Sequence, residues 1–151
     1  CLYYGSELGM AGGEDPEMRA PMRWDLARDD NAVLSLHRRL LALRHRKPAL
    51  RYGDFRVLEA QRCLAFLRAT GSARETVVVI ANPTDRESVE TLQIRESKFQ
   101  NHTVLEDALG GQTWRLDTGL LDVTVPAHGV LVLEPRIGPS PKGYDRYDRM
   151  P

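Results

Sequence analysis

The sequence predicts a mainly β protein: a C-terminal antiparallel β-sandwich with Greek-key connections, preceded by a strand–loop–helix unit. Three observations carry this. After Gly53, eight short β-prone segments follow one another, separated by turn residues. Before it, residues 31–46 form the one strongly periodic helix. Ahead of that helix, an apolar stretch at residues 1–5 leads into a long loop punctuated by Gly and Pro. The expected organisation is a strand–loop–helix unit over 1–50, a sandwich over 51–136 and an extended tail over 137–151.

Residues 1–5 (CLYYG) read as the end of a strand: Leu2, Tyr3 and Tyr4 are apolar or aromatic, and Gly5 breaks the run. The chain opens on Cys1 rather than Met, inside that stretch, so the expectation is a cut N-terminus that says nothing about a signal peptide. From Ser6 to Asp29 no period is sustained, and Gly9, Gly12, Gly13, Pro16 and Pro21 mark a functional loop rather than a mere connection. Met10, Met18, Met22 and Trp24 are apolar anchors that a disordered segment would not need.

Val33, Leu36, Leu40 and Leu43 give the helix one apolar face. Asp30 or Asn31 is the expected N-cap, and Pro48 stops the helix from continuing. Residues 44–47 complement the negative end of the helix dipole, and for the basic cluster around residues 38–47 a phosphate site is the less favoured reading.

The predicted strands are 54–60, 63–69, 75–81, 88–94, 102–105, 113–116, 120–125 and 129–134. The run ETVVVIANP is continuously β-branched, as a strand buried on both faces would be, and Asn82–Pro83 ends it. The run LLDVTVPAHGVLVLEP reads as two strands joined at Pro126–Gly129. A strand–loop–helix unit ahead of an all-β domain looks like the last βα unit of a (β/α)8 barrel.

The 151 residues carry 21 Lys+Arg against 21 Asp+Glu, and that balance gives no footprint for nucleic acid or for an anionic membrane. No apolar run is long enough to span a membrane. The compartment is left open, with a cytoplasmic location as the default. Cys63 sits in an apolar run and reads as a buried free thiol, with a disulfide to Cys1 as the alternative. His37, His45, His102 and His128 lack metal-ligand spacing, so no metal site is expected.

Among candidate functional residues, the loop offers Glu7, Glu14, Asp15, Glu17 and Asp25. Paired carboxylates are the machinery of glycoside hydrolysis, but any acidic loop supplies such pairs and solvated charge is the simpler reading. Position adds weight. If residues 1–5 are a barrel strand, the loop after them lies at the C-terminal face where active sites of such barrels gather. Asp15 and Arg19 in DPEMR could then form a carboxylate-held arginine fork suited to sugar hydroxyls.

The blocks YYGSELGM and GGEDPEMRAPMRWD closely resemble the eighth-strand stretch of the α-amylase superfamily, glycoside hydrolase family 13. Members carry YYG-[DSE]-E-[IL]-GM followed by D-P-x-x-R-x-P-M-x-W. The resemblance continues through LHRRLLALRHRKPALRYGDF, VVVIANP and VPAHGVLVLEP to the closing GYDRYDRMP, so it covers essentially the whole chain. The loop block is most similar to the cyclomaltodextrinase, neopullulanase and maltogenic-amylase branch.

The resemblance implies a parent that is a retaining enzyme of carbohydrate metabolism, cleaving or transferring α-linked glucose units through a glycosyl-enzyme intermediate. It implies equally that the nucleophile Asp, the acid/base Glu and the stabilising Asp belong to earlier barrel strands, so no catalytic residue is expected in this chain. Asp15 and Arg19 match substrate-binding positions near the non-reducing-end sugar subsites. Glu7 matches a structural position at the strand end. Met10, Met22 and Trp24 are expected to pack the loop onto the barrel, with sugar stacking by Trp24 as the alternative.

No cofactor is implied, although a structural calcium ion elsewhere in a parent protein is compatible. The partners implied are an α-glucan or maltooligosaccharide, the remainder of the catalytic barrel, and, as a further option, a second copy in a homodimer. Two other readings stay open: a non-catalytic sandwich that stabilises or binds carbohydrate, and a parent that kept the fold but lost catalysis.

Overall fold

The computed structural model describes residues 2–137. Expectations about Cys1, its disulfide included, lie outside the described residues, as does the tail beyond Ile137. The chain divides into two compact units, Cys1–Arg46 and a second that begins at Lys47.

In the first unit the expected strand at residues 1–5 is not formed: residues 2–5 run as irregular chain into a turn. A strand exists only where a neighbour completes its ladder, and no described strand pairs with this segment. Its backbone groups serve a turn instead. The Tyr3 carbonyl accepts from the Ser6 N–H at 3.1 Å, and the Gly5 carbonyl accepts from Leu8 at 3.1 Å and Met10 at 3.0 Å. Gly5 and Gly9 flank the 3-10 turn Ser6–Leu8 with φ of 84° and 69°, values that favour glycine. Two more 3-10 turns follow, Glu17–Arg19 and Trp24–Leu26.

Helix α1 spans Ala32–Arg46. Of the two cap candidates the structure selects Asn31, whose Oδ1 accepts from Val33 N at 3.0 Å and Leu34 N at 3.2 Å. Its Nδ2 donates to the carbonyls of Leu8 at 3.0 Å and Leu26 at 2.9 Å. One side chain therefore starts the helix and gathers two turns of the loop. On the predicted apolar face Leu43 is buried, while Val33, Leu36 and Leu40 are exposed.

The second unit opens with α2, Ala49–Tyr52, which packs against a strand of the sandwich. Gly53 makes this approach possible: a Cβ there would lie 2.7 Å from the carbonyl oxygens of both Ala49 and Ala69. All eight predicted strands exist: β1 Asp54–Leu58, β2 Leu64–Ala69, β3 Val77–Ala81, β4 Ser88–Gln93, β5 Val104–Asp107, β6 Thr113–Arg115, β7 Leu120–Val125 and β8 Val130–Pro135.

Every pairing is antiparallel. One sheet has the order β1-β2-β3-β8-β5-β6, and β4 pairs with β7 in the other. The chain crosses between sheets after β3, β4, β6 and β7, which is the Greek-key path. The crossing from β6 to β7 uses a tight turn in which Thr118 and Gly119 both have positive φ, 50° and 82°. Asp117 and Leu120 exchange bonds of 2.9 and 2.8 Å across it.

Alternation decides which face is inside. Ala65, Leu67, Val78, Ile80, Leu105, Leu131 and Leu133 of the large sheet join Leu92, Leu121, Val123 and Val125 of the small one in a single core. Each fully buried Leu or Val contributes about 1.5–3 kcal/mol of transfer free energy. Strand β3 lies between β2 and β8, a setting that suits its β-branched run from Val77 to Ile80. Cys63 is a buried free thiol at the edge of this core.

Two buried acids fasten the sandwich where β1 and β4 run beside each other. Glu90 of β4 is 1% exposed and accepts backbone N–H bonds from Gln61 at 2.7 Å, Arg62 at 2.9 Å and Cys63 at 3.0 Å. Glu96, just beyond β4, is held by Arg56 of β1 at 2.7 Å and by Lys98 at 2.8 Å. At the far end of β3 the buried Asn82 donates to Val125 O at 3.2 Å and Pro126 O at 3.0 Å.

Candidate functional site

The residues singled out from the sequence lie on the loop ahead of α1. After Asp15–Pro16 the chain turns through Glu17–Arg19, closed by Arg19 N to Pro16 O at 2.9 Å and Ala20 N to Glu17 O at 3.1 Å. This turn brings Asp15 and Arg19 together, and the Arg19 guanidinium donates to the Asp15 carboxylate. The side chains are 65% exposed for Arg19 and 56% for Asp15. An ion pair in such a setting stabilises by only about 0–1 kcal/mol. Its consequence is geometric: an anionic acceptor and several N–H donors stand side by side, an array matched to neighbouring hydroxyls.

Glu7 lies half-buried in the Ser6–Leu8 turn, so the position expected at a strand end is a turn position. It belongs to a different turn from the Asp15–Arg19 pair. Further along, Arg23 donates to both oxygens of Asp25, at 2.8 and 2.6 Å. That bonding holds the Asp25 carboxyl below its usual range. Asp25 is thus a fixed anion rather than a proton donor.

The loop is fastened from within. The Tyr4 hydroxyl donates to the Ala20 carbonyl at 2.9 Å, and desolvation together with the neighbouring Tyr3 pushes its pKa up, so it stays protonated. A hollow of about 340 Å³ opens beside this bond, lined by Tyr3, Tyr4, Met10, Glu17 and Met18 but not by Asp15 or Arg19. Met10 and Met22 are half-buried. Trp24 is 73% exposed, and residues 2–137 hold no barrel wall on which the expected packing could form.

Sequence reasoning identified the Asp15–Arg19 pair but missed the fastening role of Asn31. Its position before a helix signals a cap. That its amide also reaches Leu8 and Leu26 depends on the path of the loop, which carries no periodic signal. Among the described residues no group of three or more His, Cys, Asp or Glu side chains is placed to hold a metal ion. No described helix is long and apolar enough to cross a membrane.

No family model matches the chain. Individual relatives do. A cyclomaltodextrinase of Geobacillus thermopakistaniensis (strain MAS1) is 33% identical over 135 residues, covering 87% of this chain and 22% of the relative. The chain belongs to the α-amylase superfamily, glycoside hydrolase family 13. Neopullulanase 2 of Thermoactinomyces vulgaris is 34% identical over 116 residues, 75% of this chain and 17% of that protein. Among solved structures an Anoxybacillus α-amylase superposes with a TM-score of 0.72 at 30% identity, covering 90% of this chain and 29% of its own.

The match is to the C-terminal segment of these family 13 proteins, in the cyclomaltodextrinase, neopullulanase and maltogenic-amylase branch. The chain spans about a fifth of the length of the curated relatives it matches.

Proposed function

We propose that this chain is the C-terminal part of a retaining family 13 enzyme acting on α-glucans or maltooligosaccharides, by hydrolysis or by glycosyl transfer. The observation that carries the reading is the Asp15–Arg19 pair, presented on the exposed loop between two backbone-closed turns. In this reading the pair binds a sugar near the non-reducing end, Arg19 donating to hydroxyl oxygens while Asp15 accepts and orients the guanidinium. Glu7 orders the loop. Residues 1–50 complete a barrel whose remainder is supplied by the rest of the protein.

The chain by itself does not turn over substrate in this reading. A retaining mechanism needs a nucleophile and an acid/base about 5–5.5 Å apart, and the family motifs that supply them are absent from these 151 residues. The supporting experiment is a calorimetric titration of the chain with maltoheptaose, followed by an assay for released sugar. Saturable binding weakened in Arg19→Ala and partly restored in Arg19→Lys, with no turnover, is expected. Hydrolysis by the chain would overturn the reading, and Arg19→Ala binding like the wild type would remove the pair from sugar binding.

A second reading is favoured by the closed core of the second unit: the sandwich acts as a non-catalytic stabilising or carbohydrate-binding module. Loss of activity on deleting 51–151 from the longer protein, without loss of sugar binding, would support stabilisation alone.

A further inference from the structure

The edge of β1 and the edge of β4 face each other across an open seam of the sandwich. Among the described residues neither strand has a second ladder partner: β1 pairs with β2 and β4 with β7. The seam has a fixed width. At one end the Glu90 carboxylate holds the backbone of Gln61, Arg62 and Cys63. At the other, Arg56 bridges from β1 to the Arg95 carbonyl and to Glu96. Both acids are buried, so these clamps are not swinging surface contacts.

Two adjoining hollows of about 260 and 420 Å³ lie along the seam and share Glu59 and Gln93. Strand alternation aims Thr91, Gln93 and Arg95 outward, because Leu92, Ile94 and Glu96 are buried. Successive outward residues are spaced about 6–7 Å apart, so Thr91 to Arg95 covers about 13 Å. That is the reach of a short oligomer rather than of a single ring.

Gln93 Oε1 accepts from Arg95 Nε at 3.0 Å and Nη2 at 2.8 Å. This orients both side chains and leaves the Gln93 amide nitrogen and further Arg95 N–H groups to donate to a ligand. Glu59 adds an exposed acceptor on the facing strand end, and Thr91 is oriented by Asp122 at 2.6 Å. Along the seam Arg56, Lys98 and Arg95 are matched by Glu96, Glu59 and Asp122, so the cations and carboxylates balance. A balanced row of donors and acceptors suits an uncharged polyhydroxyl chain, whereas a phosphate or carboxylate ligand would call for net positive charge.

We propose that the β1–β4 seam is a binding site for a linear α-glucan oligosaccharide, with Glu59, Gln93 and Arg95 as its hydrogen-bonding residues. The choice of sugar rests on the glucan reading given above; the pre-formed polar seam does not. Because Gln93 and Arg95 already hold one another, part of the ordering that binding requires is made in advance, and the ligand replaces water along the seam.

The test is a titration of the isotope-labelled 151-residue chain with maltohexaose, reading backbone amide shifts, with cellohexaose as the linkage control. Saturable shifts at 59–61 and 91–95 are expected with maltohexaose. Gln93→Ala and Arg95→Ala should each weaken them by about tenfold, the loss of roughly one hydrogen bond to a charged or locked group. Arg19→Ala should leave them unchanged, and spectra elsewhere should stay intact because the substituted side chains are exposed. Shifts confined to the loop around Asp15 and Arg19 would overturn the seam site while leaving the glucan reading standing. Shifts nowhere would remove both. Equal binding of cellohexaose would overturn the assignment to α-glucans.

Discussion

The carboxylate of Glu90 accepts the backbone N–H of Cys63 at 3.0 Å, beside the apolar core of the sandwich. Burial alone would raise the carboxyl pKa. The three N–H donors of residues 61–63 and the Ser88 hydroxyl outweigh it and hold the group at about 2. The folded value lies below the unfolded one, so the contribution to stability is fully present above the unfolded pKa near 4.5 and is lost as pH falls toward 2. The shift corresponds to stability on the order of 3 kcal/mol. Urea midpoints measured between pH 6 and pH 2 should fall through that window. In Glu90→Gln the fall should be shallower from a lower starting point; an equally steep fall would assign the acid sensitivity elsewhere.

Asn82 is a buried amide that both donates and accepts. Its Nδ2 serves the carbonyls of Arg86, Val125 and Pro126, and its Oδ1 accepts from Thr84. Asn82→Ala leaves buried acceptors without donors, at a cost of about 1–3 kcal/mol. Thermal unfolding should register this as a clear drop in midpoint, and Asn82→Asp should do no better, since a carboxylate cannot donate.

Asn31 predicts a local effect. Removing the cap costs the helix about 1 kcal/mol, while the lost bonds to Leu8 and Leu26 release the loop. Limited proteolysis of Asn31→Ala should therefore cut within residues 9–27 faster than in the wild type. Far-UV circular dichroism should change little. Unaltered cleavage would mean that the Tyr4–Ala20 bond holds the loop unaided.

Leu67 and Val57 lie on neighbouring strands but differ in exposure, 1% against 66%. Leu67→Ala should lose about 2–5 kcal/mol, and Val57→Ala should stay within about 0.5 kcal/mol of the wild type. Similar losses at both sites would mean that the face carrying Val57 is covered in solution.

The strands were readable because their pattern is local. Residues 120–125 alternate so cleanly that the predicted and observed bounds of β7 coincide. β5 begins two residues later than expected because His102 adopts a φ of 67° and turns the chain before the ladder starts. In β4 the sequence SVETLQ places Ser88, Glu90 and Leu92 on one face and Val89, Thr91 and Gln93 on the other. With one apolar residue in each set, neither the inner face nor the buried acid could be read. Residues 1–5 failed for a different reason: β propensity is real there, but pairing is a tertiary property. The Asp15–Arg19 pair was legible because four residues and one turn suffice to join it.

The position of β8 has a consequence for how the protein is made. It is the last described strand, yet it lies between β3 and β5 and joins the two halves of the large sheet. A nascent chain that has emerged only through β7 holds β1–β2–β3 and β5–β6 as separate fragments, with the edges of β3 and β5 bare. Closure of the large sheet must therefore wait until β8 has emerged, and until then those two edges are open to wrong partners.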